Sequence, residues 1–197
     1  MKTTETLLTN YQQILTVDLQ RNRRQMLLVS IIALVIAAVM VTVCAIFVPI
    51  APLFDLSAGF LPYLVRFLTL FAGMVAYIVL HELVHGVFIR IFSGKRATYG
   101  FSWKYAWAGS DCYFGKLPYL VIALSPVVIW GIVLAVINAV VPIEWFWVVF
   151  AIQVMNLSGA AGDLYVTVRF LGFPKDILVK DTGTAMTVYT PVSQEKK

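Results

Sequence analysis

"YIVLHELVHGVFIR", residues 77–90, sets two histidines and a glutamate into a run otherwise made of residues suited to a membrane interior. They are the only two histidines in the chain. On an α-helix, positions i and i+4 lie one above the other, so His81 and His85 can ligate one metal ion. Glu82 points beside that face, where it can take a proton from a water at the metal without being a ligand. Ile78, Val79, Leu80, Leu83, Val84 and Val87 surround the three, so this is no solvated helix face. Ionisable groups at membrane depth are costly and mark function. Zinc is the ion favoured, because imidazole suits it and it brings the pKa of bound water towards neutrality. A buried structural His–Glu pair without metal is the competing reading.

The rest of the chain explains the apolar setting. Of 197 residues, 60% are hydrophobic and 13% charged, and the mean hydropathy is +0.86. A soluble domain carries about a quarter charged residues. The expected class is therefore an all-α polytopic membrane protein. Four spans can be drawn at roughly 25–48, 62–91, 117–141 and 145–168. The net charge of +5 is no nucleic-acid signal, since the basic residues flank apolar runs and read as topology and contact with anionic lipid. Cys44 and Cys112 do not make a disulfide framework.

Basic residues fall in three places: before the first span, around 90–116 and after the last span. The connections at 49–61 and 142–144 contain no Lys or Arg. Arg66, just inside the second span, can snorkel outward. Both termini are thus expected in the cytoplasm, in a cell membrane. The expected division is an amphipathic segment at 1–24, a four-span membrane domain at 25–170 and a tail at 171–197. Leu8, Tyr11, Leu15 and Leu19 recur at helical spacing, which suggests a short interfacial helix. Tyr99, Phe101, Trp103, Tyr105 and Trp107 alternate with smaller or polar residues. That period of two predicts a β-hairpin at about 97–116, with its turn at 108–111.

A catalytic zinc wants a third protein ligand and an open position. Arg90 follows His85 by five residues, roughly 7–8 Å along a helix, and Arg169 follows Asp163 by six, roughly 9 Å. On parallel spans His85 and Asp163 share a depth, so Asp163 is the third ligand. Cys44 falls too far out, and Cys112 reaches the site only if the hairpin folds back. In "MNLSGAAGDLY", 155–165, Asn156, Gly159 and Asp163 form one helical stripe among small residues that permit close packing. Asn156 is a candidate for binding a substrate carbonyl or the oxyanion, or for bonding another helix. "DTG" at 181–183 and "AAGD" at 160–163 approach aspartic-protease motifs but lack their context.

HELVHG in one apolar helix with N-x-x-G-x-x-G-D in the last resembles the bacterial membrane family of putative zincin peptidases, domain of unknown function 3267. It is more distantly similar to the site-2 intramembrane metalloproteases, from which it departs at Leu164 and Gly159. The resemblance covers roughly 60–185. It implies that His81, His85 and Asp163 hold Zn2+ and that Glu82 is the catalytic base. The site-2 likeness also implies that the hairpin offers an edge to an unwound substrate strand. The expected function is a membrane-embedded zinc metalloendopeptidase acting on a peptide or membrane-protein substrate at the cytoplasmic face. The alternatives are a non-catalytic zinc protein and a small transporter.

Overall fold

The computed structural model describes residues 3–101 and 106–192. Four helical stretches match the apolar runs: α1 (Arg23–Phe47), α2 (Phe60–Ser93), α3 (Lys116–Val140), and α4 (Ile143–Gly159) continued by α5 (Ala161–Leu171). Each is long and apolar enough to cross a membrane. At 1.5 Å per residue, a 25-residue helix such as α1 reaches about 38 Å against a hydrocarbon core of about 30 Å. Leu34, Ile46, Phe71 and Val140 are 70–77% exposed. Apolar helices left this bare have no reason to be so in water.

The chain is not all-α. Two compact units divide it, one comprising Met1–Leu28, Glu82–Ser125 and Asp163–Lys197, the other Val29–His81 and Pro126–Gly162. The first carries every described strand. Its five-stranded antiparallel sheet has the order β1 (Thr3–Thr4), β5 (Tyr113–Gly115), β6 (Leu178–Asp181), β7 (Ala185–Pro191), β2 (Tyr11–Asp18). A second sheet pairs β3 (Thr98–Phe101) with β4 (Ala106–Gly109). Val17, Phe114, Val179 and Val188 form the sheet's core with Tyr119, Val166 and Phe170 of the helices in the same unit.

Residues 11–18 form a strand, not an interfacial helix, registered from Tyr11 opposite Pro191 to Asp18 opposite Ala185. Leu15 and Leu19 fit both periods, and pairing with a distant strand decides between them. The segment after 171 is not a tail, because β6 and β7 are inside the sheet. "DTG" is their turn: Asp181 Oδ1 accepts the Gly183 N–H at 2.8 Å, and Gly183 has φ +81°. In the hairpin, Ala108 and Gly109 belong to β4, and 113–115 join the main sheet. Its connection, with Trp103 and Tyr105, lies outside the described residues. The last span is interrupted: α4 stops at Gly159 and Ala160 leaves helical geometry (ψ 15°).

In the second unit, the connection after α1 contains a 3₁₀ turn, Ala51–Phe54. Trp147 donates to the Pro49 carbonyl at 2.9 Å. Arg66 is buried and donates to the Asp55 carbonyl.

Candidate metal centre

α2 is unbroken from Phe60 to Ser93, so the HELVH turn is regular helix and carries His81 and His85 on one face. Both are 8% exposed. Asp163 lies in the first turn of α5, where the break at Ala160 has opened a new helix start. A carboxylate there faces the positive end of the helix dipole. His85 Nε2 stands 3.7 Å from Asp163 Oδ2. With His81 one turn earlier on the same helix, one ligand atom from each of the three lies within 4.8 Å of the others.

The 3.7 Å between His85 and Asp163 is wider than a closed charged hydrogen bond and leaves room for a shared ion. A charged hydrogen bond closes to about 2.7–2.9 Å. Two atoms bound to one tetrahedral zinc at 2.0–2.1 Å are about 3.3 Å apart. Two imidazoles and one carboxylate are also a donor set suited to zinc. Glu82, half-buried, follows His81 directly and is not in the ligand cluster. Cys112 is 2% exposed in the core of the first unit, where its N–H bonds Ser110 Oγ, and it is not in the cluster either.

Each imidazole has a partner at its other nitrogen. His85 Nδ1 is 2.9 Å from the Ile122 carbonyl oxygen, which can only accept, so Nδ1 carries the proton. His81 Nδ1 is 2.7 Å from the Tyr77 hydroxyl. That hydroxyl donates to Asn156 Oδ1 at 2.8 Å, and Asn156 Nδ2 donates to the Val127 carbonyl at 3.1 Å. Asn156 is fully buried, with both ends of its amide engaged. Sequence reading passed over Tyr77, Ile122 and Pro126. The available signals were Tyr77 at i−4 from His81, hence on the same face, and Pro126 at i+4 from Ile122.

The β3–β4 hairpin is fastened beside this turn of α2. A Cβ on Gly86 would overlap the Tyr99 hydroxyl, so the glycine after His85 makes room for β3. On its other side the hairpin meets the β6–β7 turn. There Ser110 N–H donates to the Asp181 carbonyl at 2.7 Å, and a side chain on Gly183 would overlap the Trp107 ring. Asp181 Oδ2 accepts the Tyr119 hydroxyl at 2.8 Å. Burial pushes the Asp181 carboxyl up to about 6, against the opposing effect of its hydrogen bonds.

Residues 74–178 match the model of a family described as putative zincin peptidase, domain of unknown function 3267. No curated protein matches the chain. No solved structure matches it.

Proposed function

Since the chain belongs to this putative zincin peptidase family, we propose that it is a membrane-embedded zinc metalloendopeptidase working at the cytoplasmic face of a cell membrane. The observation that carries this reading is the convergence of His81, His85 and Asp163, with Glu82 next to the first ligand. These three residues would hold Zn2+, leaving a coordination position open. The ion, when bound, supplies Lewis acidity that polarises a carbonyl and makes water a better nucleophile near neutral pH. Glu82 takes the proton from the attacking water and returns it to the leaving amine. His81 and His85 keep their Nε2 atoms in place through the bonds their Nδ1 atoms make.

A helical substrate hides its backbone in its own hydrogen bonds, so the scissile segment must become extended before water can attack it. The β3 strand pairs with β4 alone among the described strands and packs against α2 at Gly86. Its other edge is suited to accept an extended peptide by strand addition. Asn156, bonded at both ends of its amide, is better suited to supporting the site than to contacting substrate.

The test uses the purified protein in lipid vesicles with a fluorogenic peptide carrying an apolar, helical stretch. Cleavage should stop with a chelator and return on adding zinc. Cleavage that persists without metal would overturn the proposal. Tight zinc binding with no cleavage of any peptide tried would favour the non-catalytic alternative.

A further inference from the structure

An imidazole presents Nε2 to a metal only when the proton sits on Nδ1, so something must hold it there. The two histidines have different holders, and both trace to one turn of α3. In a regular helix the Ile122 carbonyl would accept the N–H of residue 126. Residue 126 is proline, which has none. The Ile122 carbonyl instead accepts the Ser125 hydroxyl at 3.0 Å and His85 Nδ1–H at 2.9 Å. A carbonyl has two lone pairs, and these two donors fill them.

The second holder begins at the next residue, Val127. Its carbonyl takes Asn156 Nδ2–H, which fixes which end of the Asn156 amide is oxygen. Oδ1 is then the end facing Tyr77, and it can only accept. The single Tyr77 proton is committed to Asn156, so towards His81, 2.7 Å away, the hydroxyl offers a lone pair. His81 Nδ1 must therefore be the donor.

We propose that Tyr77, oriented by Asn156, and Pro126, by releasing the Ile122 carbonyl, are positioning residues that lock His81 and His85 as Nδ1–H tautomers. This rests on the metal reading above for its purpose but not for its chemistry. Asn156 matters through Tyr77: without it the hydroxyl can turn its proton onto His81 Nδ1 and drive the imidazole to the tautomer that blocks binding.

The chain has only two histidines, so ring-¹⁵N labelling gives two imidazole systems to read. In metal-free wild type in vesicles, solid-state NMR should show both as Nδ1–H. Tyr77→Phe should lose that signature at His81 and keep it at His85, and Pro126→Ala should weaken it at His85. Zinc affinity, measured by competition with a fluorescent chelator, should fall about 10–100-fold in Tyr77→Phe. Asn156→Leu should fall comparably, yet add less than about twofold in the Tyr77→Phe background, since both act on one proton. Unchanged thermal unfolding of metal-free Tyr77→Phe separates this from a folding defect.

An Nε2–H signature at His81 in wild type would overturn the proposal. So would wild-type zinc affinity in Tyr77→Phe, or additive losses in the double variant. Wild type that binds no zinc would sink the peptidase reading, while the metal-free NMR would still decide this one.

Discussion

The Tyr99 hydroxyl occupies the space where a side chain on Gly86 would stand. One residue after the second histidine, the helix thus has a notch that receives the hairpin. Gly86→Ala should cost about 1–3 kcal/mol, the usual range for overpacking. Thermal unfolding in detergent would measure it. Adding Tyr99→Ala should restore most of the loss, because it removes the atoms that collide. An additive double variant would mean that the two residues do not share this space in solution.

Glu82 lies outside the His81–His85–Asp163 cluster and is half-buried next to His81. Glu82→Gln keeps its size and removes its basicity. Peptide cleavage should fall by about 10²–10⁴-fold, the range for losing a general base. Bound zinc should stay near wild type. Loss of the metal along with activity would instead make Glu82 a ligand or a support of one.

The sheet constrains topology more firmly than the basic residues do. β2 pairs with β7, and β1 and β6 both pair with β5, so the segments before α1, between α2 and α3, and after α5 belong to one sheet. They must lie on one side of any membrane. Reporter fusions should find the N-terminus, the 92–116 segment and the C-terminus together in the cytoplasm, as the positive-inside pattern orients them. Accessibility of 92–116 from outside would refute the orientation.

Asp181 carries a pH signature. Its folded pKa of about 6 lies above the ordinary value of 3.8 because burial disfavours the charge. Between those values the folded state holds a proton that the unfolded chain releases. Stability from this group is therefore present at low pH and lost as pH rises from about 4 through 6, by at most about 3 kcal/mol. Unfolding of the metal-free protein at several pH values should show this slope in wild type and not in Asp181→Asn. Equal slopes would remove Asp181 as its source.

The site was more legible than the fold around it, for a physical reason. His81, Glu82, His85 and Asp163 stand out because charge at membrane depth is rare and costly, and helix rise alone matches the depths of His85 and Asp163. The sheet depends on pairings such as Tyr11 opposite Pro191, which no local pattern announces. In residues 8–19, helical and strand periods both fit Leu15 and Leu19, and only burial of Val17 against distant strands resolves them. The hairpin's period of two was visible in its aromatic residues. Its register was not, because Ala108 and Gly109 read as turn residues until Gly109 is seen packed against the Thr182 backbone. Similarly, Asp163 was readable as a neighbour of the two histidines, whereas the helix break at Ala160 has no proline to mark it.

If His81, His85 and Asp163 bind one zinc ion, metal content should depend on Asp163 and not on Glu82. The most direct measurement is the zinc-to-protein ratio, by plasma mass spectrometry, of purified wild type, Asp163→Ala and Glu82→Ala after dialysis against limited zinc. About one zinc is expected in wild type and in Glu82→Ala, and close to none in Asp163→Ala, where three-point coordination is lost. Full zinc in Asp163→Ala, or none in wild type, would contradict it.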